Sequence, residues 1–292
     1  MKTTLLFSSL LISNAILSQA VSGKLKFGQG QVFEINVVIK TSIVQQAMGQ
    51  AIDFNVDAAG YHTYKVTNTT DDNSTLNHQV NRISFTFDGM GQKINFDSKN
   101  EKDMNGRLGK PMKELLEKKY DIIIDSNGKT LMAVPEKIQL SVSDNNMAVL
   151  SSMLKDVFDL VQPPQKGSSS FFKVLPNGET EKAKPWTESY TTSTGKFDAA
   201  YSITDINDTT IVIDFVANSV TVNKAEMMGS ETTTTMNNKS TGKIILDRLT
   251  CIIKEKTFTT ESSGNTEASF GTLPVTSKTT TTIVVKPMEM GQ

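Results

Sequence analysis

An alternation of apolar and polar residues with a period of two runs through most of this chain, and it restricts the fold to sheet. Phe33, Ile35, Val37 and Ile39 alternate with Glu34, Asn36, Val38 and Lys40. Ile52, Phe54 and Val56 alternate with Asp53, Asn55 and Asp57; Ile83, Phe85 and Phe87 repeat the pattern, and Ile94 and Phe96 continue it. Successive side chains of a strand point to opposite faces, so each run turns one face to a core and the other to water, as in antiparallel sheet. Asn127-Gly128, flanked by Ile122–Ile124 and Thr130–Val134, marks a two-residue hairpin, because both central positions accept positive φ. Later runs at Ile211–Val216, Val220–Val222, Ile244–Leu246, Cys251–Ile253 and Ile283–Val285 are strand-like as well. The tracts Thr232–Thr235 and Thr279–Thr282 suit exposed strand faces, since a β-branched residue fits the pleat.

Two segments break the period. Pro111 to Lys119 predicts a short helix with proline in its first turn and Met112, Leu115 and Leu116 on one side. Asp144 to Val161 is the stronger case: Asp144 can cap it, and Met147, Leu150, Met153, Leu154, Val157, Phe158 and Val161 follow helical spacing. Pro163-Pro164 stops that helix, and Gln165–Ser170 reads as a connector. The expected fold is mainly β, a curved antiparallel sheet or an open barrel or sandwich, with one or two helices. Residues 1–20 are a leader, 21–162 a first β-rich half ending in the amphipathic helix, 163–170 the connector, and 171–292 a second β-rich half packed with the first as one unit. Tyr64-Lys-Val-Thr-Asn and Asp71 in the first half match Tyr201-Ser-Ile-Thr-Asp and Asp208 in the second, at a constant offset. The match covers eight positions, and an internal duplication or two similar strands both account for it.

The leader sets the compartment. Lys2, the apolar run Leu5–Leu17 and Ser18-Gln19-Ala20 form a cleavable export signal, too short in its apolar part to span a bilayer. The protein is therefore expected to be exported, periplasmic or extracellular, with cleavage near Ala20. No later stretch is long and apolar enough for a membrane anchor. The net charge is −1, and losing Lys2 with the leader lowers it by one, so no positive field draws the chain to nucleic acid or anionic lipid. Cys251 is the single cysteine, which rules out an intramolecular disulfide; its apolar neighbours place it in a buried strand. Asn68, Asn73, Asn207 and Asn238 head Asn-x-Ser/Thr triplets. Secreted eukaryotic chains of this size usually carry disulfides, so a bacterial envelope origin fits better and the triplets then carry little meaning.

A catalytic set does not emerge. His62 and His78 are the two histidines, both in polar surroundings that read as exposed, and no nucleophile motif accompanies them. Zinc would need clustered ligands, so no metal site and no cofactor are expected. Asp71-Asp72-Asn73 and Asp125-Ser126-Asn127-Gly128 lack the spaced oxygens and closing glutamate of a calcium loop and read as turns. The candidate site is instead apolar. Leu150, Met153, Leu154, Val157 and Phe158 line one face of the 144–161 helix, and methionine adapts to irregular partners. Laid across a curved sheet, that face either closes the core or lines a pocket for a lipid tail.

Several short stretches together resemble an uncharacterised family of secreted Bacteroidota proteins, catalogued as a domain of unknown function. They are Gly28-Gln-Gly-Gln-Val-Phe33, Arg82-Ile-Ser-Phe85, Phe96-Asp-Ser98, Asp125-Ser-Asn-Gly128, and Trp186 ahead of Thr194-Gly195. The resemblance covers most of the mature chain and implies a bacterial envelope protein, with no catalytic residues to carry over. The expectation is an exported, non-catalytic protein that binds an apolar small molecule or lipid. The alternative is a structural or interaction protein of the cell surface, with an envelope protein as partner.

Overall fold

The structure, a computed structural model, describes residues 20–47, 49–89, 91–136, 162–182, 184–192, 194–227, 230–269 and 271–288. Residues 1–19 of the leader and the expected 144–161 helix lie outside these residues.

Long antiparallel strands joined by tight turns build one twelve-stranded sheet. In chain order the strands are β1 (Val21–Ser22), β2 (Val32–Ala47), β3 (Gln50–Thr69), β4 (Asn73–Gly89) and β5 (Gln92–Asp97). Then come two helices, α1 (Glu101–Met104) and α2 (Gly109–Glu117), followed by β6 (Lys119–Asp125), β7 (Thr130–Val134) and β8 (Glu179–Thr180). The last six are β9 (Trp186–Thr192), β10 (Gly195–Ile206), β11 (Thr210–Met227), β12 (Ser230–Asp247), β13 (Ile253–Ala268) and β14 (Gly271–Met288). The sheet order is β7-β6-β4-β3-β2-β14-β13-β12-β11-β10-β9, with β5 paired to β4 and β1 paired separately to β8. The pairing of β14 with β2 makes the sheet continuous, from Met288 opposite Val32 to Val275 opposite Gln45.

The strands are far longer than their apolar runs. At about 3.3 Å per residue, the 20 residues of β3 extend about 65 Å. Threonine and asparagine supply the extra length: Thr232–Thr235 and Thr279–Thr282 sit in mid-sheet, and Thr232 and Thr281 are buried rather than exposed. Neighbouring threonines pair their hydroxyls across strands, as in Thr41–Thr279 at 3.0 Å and Thr234–Thr266 at 2.9 Å.

One face carries the core. Phe33, Ile35, Val37 and Ile39 of β2, Leu76, Val80, Ile83 and Phe85 of β4, Ile211 and Ile213 of β11, and Ile244 and Leu246 of β12 are all at most 5% exposed. These residues gather toward one end of the long strands, where α2 covers β4 with Met112 and Leu115. The helix expected at Pro111–Lys119 thus forms two residues earlier, over Gly109–Glu117. At that end the chain also crosses between distant parts of the sheet. Leu25 N–H donates to Ser126 O in the β6–β7 turn at 2.7 Å, and the next residue, Lys26, donates to Thr250 O in the β12–β13 turn at 3.0 Å. Five strand spacings separate β6 from β13, about 24 Å in a flat sheet. Two adjacent residues reach only about 10 Å with their hydrogen bonds, so the sheet must curl into a trough. It stays open, with β7 and β9 as its two ends.

Two turns differ from the reading above. Asp125-Ser-Asn-Gly128 is a hairpin turn in which Asp125 Oδ1 accepts from Asn127 N–H and Lys129 N–H, both at 2.9 Å, with Gly128 at φ 83°. The hairpin forms where expected but not as a two-residue turn: Gly128 and not Asn127 has positive φ, and Asp125 N–H donates to Lys129 O across three intervening residues. Cys251, however, is not in a strand. It lies in the β12–β13 turn at φ 58°, buried, with its thiol donating to Ser22 O at 3.2 Å. Asp247 forces this turn by accepting from Leu249 N–H and Thr250 N–H, both at 3.0 Å. Residues 162–170 run beside the start of β7, where Thr130 N–H donates to Ser168 O at 2.9 Å and Ser170 N–H to Gly128 O at 2.8 Å.

Candidate functional site

Leu150, Met153, Leu154, Val157 and Phe158 lie outside the described residues, so the inner face of the sheet must be searched on its own. Two groups of residues stand out there.

The first is a polar knot inside the apolar core. Alternation from Val56 through Ala58 and Gly60 puts His62, Tyr64 and Val66 on the inner face of β3. The same period puts His78 between Leu76 and Val80 on β4. His62 and His78 are 4% and 1% exposed, so the expectation of two surface histidines is wrong. The polar residues around them are their outward-facing neighbours along the strand. His62 Nδ1 and His78 Nε2 share a hydrogen bond at 3.1 Å, and Tyr64 and Tyr120 join their hydroxyls at 3.0 Å. The His78 ring stacks on Tyr120, with centroids 4.3 Å apart. Burial holds both histidines neutral: it brings His62 down to about 4 and His78 lower still, with charge repulsion from His62 adding to the latter. Burial pushes both tyrosines above their ordinary value, Tyr64 to about 12. Gly60 makes room for the knot, since a Cβ there would stand 2.7 Å from His62 Nε2. A cavity of about 20 Å³, the size of one water, lies beside it between Ile35, Val37 and Phe171. Among the described residues His62 Nε2 and His78 Nδ1 find no hydrogen-bond partner. Among the described residues no nucleophile or carboxylate joins this group, which is a core network held by stacking and two hydrogen bonds.

The second group is a cross-strand row. The register aligns Trp186 (β9), Tyr201 (β10), Phe215 (β11), Gly242 (β12), Phe258 (β13), Thr281 (β14), Ile39 (β2), Ala58 (β3), Phe85 (β4) and Phe96 (β5). Its aromatic members touch: Trp186–Tyr201 at 5.3 Å, Tyr201–Phe215 at 5.8 Å and Phe215–Phe258 at 6.0 Å between centroids. The last pair meets over Gly242, where the strand has no side chain to keep the rings apart. Trp186, Tyr201 and Phe258 are only partly buried, as are Ile43, Ile52 and Ile94 on the other wall of the trough. Beyond this row the wall of β11–β13 changes character: Asn238 donates to Ser219 Oγ at 3.1 Å, and Ser240 and Thr260 pair at 2.8 Å. The outer face bears open grooves of about 440 and 630 Å³ lined by charges of both signs, including Lys196, Asp198, Lys243 and Glu255.

Among the described residues no three His, Cys, Asp or Glu side chains gather as a metal site, and no helix is long and apolar enough to cross a membrane. Fold and face together define a class: a large, open, curled antiparallel sheet whose inner face passes from packed core through an aromatic row to a hydroxyl-bearing wall. The chain belongs to a family of unknown function, DUF6263, whose model matches residues 71–253. No curated protein matches it. Among solved structures it is similar to lipovitellin, in a study of lipid–protein interactions, at 10% identity and a TM-score of 0.47. That likeness covers 91% of this chain and 26% of the other, so the chain spans about a quarter of lipovitellin's length. It is also similar to an outer membrane channel from Pseudomonas putida F1 at 6% identity and a TM-score of 0.26, covering 90% and 98% of the two chains. A third, the Pseudomonas aeruginosa protein OccK7, has 5% identity and a TM-score of 0.22 over 90% and 100%.

Proposed function

We propose that this protein is a non-catalytic binding module of the cell envelope that holds an apolar or lipid-like ligand against the inner face of its sheet. One observation carries the reading: the inner face remains apolar past the packed core, through Trp186, Tyr201, Phe258, Ile43, Ile52 and Ile94, all partly exposed. Contiguous apolar surface of this kind on a soluble protein marks a site for a ligand or partner. The curl of the sheet makes that surface concave, the shape that removes most of a small ligand's own surface from water. Export by the leader supplies the compartment in which such a carrier would act.

Native mass spectrometry of protein purified from its own host, before and after organic extraction, tests this. The expected result is a non-covalent mass increment that extraction removes. Protein that is ligand-free in every preparation, and that leaves the apolar fluorophore 1-N-phenylnaphthylamine dark, overturns it.

A structural or interaction role draws on a different feature. Val216, Val220 and Val222 form an exposed stripe on the outer face of β11, at 44%, 43% and 39%. Crosslinking on host cells that captures a protein partner at these valines, with ligand-free protein, would favour that role.

A further inference from the structure

Lys256 stands where charge is least welcome. Its cross-strand neighbours are Ile244 and Ile283, and the same row continues through Ile213 and Ile203 on one side and Val37 on the other, every one at most 6% exposed. An uncompensated ammonium in such surroundings is costly, so buried charges are as a rule paired. Here no hydrogen bond or ion pair reaches Lys256 among the described residues. Its Nζ lies instead over two rings, 5.2 Å from the centroid of Phe215 and 5.3 Å from that of Phe258. Burial lowers its pKa, with no carboxylate acting on it. The long aliphatic stem lies at the level of the isoleucine row while the ammonium reaches the aromatic row, where the partly exposed surface begins.

A second unpartnered donor sits on the same row. Trp186 Nε1 is buried with no hydrogen-bond partner among the described residues, one ring beyond Tyr201, which in turn stacks on Phe215. Of the paired residues of β9–β14, the register puts two charged ones on the inner face, Lys256 and Glu188. Glu188 is on edge strand β9, four strands away, and burial raises its pKa while Lys173 opposes that shift. The inner face near Lys256 thus has, among the described residues, a cation with no anion and an apolar floor, while the Trp186 N–H lies at the far end of the aromatic row on β9.

We propose that the ligand is an anionic amphiphile, its carboxylate or phosphate head paired with Lys256 Nζ and its aliphatic tail lying along the partly exposed Phe258 and Tyr201 of the aromatic row and the Ile43–Ile52 wall. This rests on the proposed binding role and names the class of ligand. Cation–π contact holds the ammonium in place without satisfying its three donors, so an anion completes the site that the rings orient. A charge-assisted hydrogen bond in a partly desolvated site gives discrimination of about tenfold or more over a neutral head.

Trp186 is the single tryptophan and reports on the site directly. The test titrates the full chain with oleate, oleoyl lysophosphatidic acid, oleyl alcohol and oleylamine, following Trp186 fluorescence. Oleate or the phosphate amphiphile should bind about tenfold or more tightly than the alcohol, with the amine weakest, and the preferred anion distinguishes a fatty acid from a phospholipid source. Lys256→Met should erase the preference of the anion over the alcohol, and Lys256→Arg should retain it. Equal binding of acid and alcohol by the wild type, or an undiminished preference in Lys256→Met, overturns the head-group assignment while the apolar reading stands. If none of the four binds, both fall. The wild-type comparison decides the matter even if Lys256→Met does not fold.

Discussion

His62 and His78 are where single residues tie the core to pH. Both are buried neutral, so their folded pKa values lie below the unfolded value of about 6.5. As pH falls below about 6.5 the unfolded chain takes up protons that the folded chain refuses, and stability falls with it. For His62 the loss continues down to its folded value of about 4, amounting to about 2 kcal/mol at pH 5. Asp97 acts lower. Its hydrogen bond from Arg82 holds the carboxyl below its ordinary range, so its contribution is lost only as pH falls further. Urea unfolding between pH 7 and pH 4.5 should therefore show a steady loss that His62→Leu/His78→Leu flattens; an unchanged slope in that variant would remove the histidines as its cause. These residues were legible in part. His62 shares parity with Val56 and Ala58, and His78 with Leu76 and Val80, so the period alone pointed inward. Judging them by their polar sequence neighbours, which face the other way, gave the wrong side.

Among the elements, β12 shows how one missing side chain shapes a site. Gly242 lies between Phe215 and Phe258 in the register, and a Cβ there would stand 2.4 Å from both Thr257 O and Phe258 Cβ. Gly242→Ala must push β13 away or turn the Phe258 ring, at a cost of about 1–3 kcal/mol for overpacking. The expected outcome is a lower urea midpoint together with a changed Trp186 emission, because the disturbance travels through Phe215 and Tyr201, which stack in turn on Trp186. A lower midpoint with unaltered emission would mean that the row does not act as one surface. Strand identity was readable from alternation in β2–β6 and in the apolar ends of β11–β14. The length of β11–β14 was not, since threonine and asparagine carry no apolar signal and only their cross-strand partners make them sheet. Lys256 was hidden for another reason. The ladder slips between Ile245 and Leu246, so Ile253 and Lys256 are three apart yet both partner inner-face residues of β12. A period of two carried on from Ile253 puts Lys256 on the outer face.

The whole molecule is unequal from end to end, and that inequality follows from where the chain spends its apolar residues. At one end the 20–31 segment ties the β6–β7 turn to the β12–β13 turn, Cys251 holds Ser22, and Phe27, Phe33 and Phe172 pack within 5.9 Å of one another. At the other end, exposed residues such as Val222, Lys224 and Glu231 flank the β11–β12 turn, and buried Thr232 and Thr266 are isolated exceptions. Ladder hydrogen bonds and polar side-chain pairs such as Thr234–Thr266 and Lys224–Glu231 hold those distal strands, and hydrogen bonds without apolar burial give little net stability. Local opening should then start there and stop at the aromatic row, where side chains lock the strands together. Hydrogen exchange resolved by residue should find the amides of 222–224, 231–236, 262–269 and 271–273 opening at least about tenfold more often than those of 211–215, 244–246 and 283–285. Uniform protection along each strand would refute this, because it would require the distal wall to be held by more than hydrogen bonds and polar pairs. A saturating ligand on the aromatic row should slow exchange in the distal segments more than in the core, since the core already opens only with the whole sheet. The same gradient places the candidate site at the border between the rigid and the yielding half of the trough, where a ligand can enter without unfolding the part that anchors it.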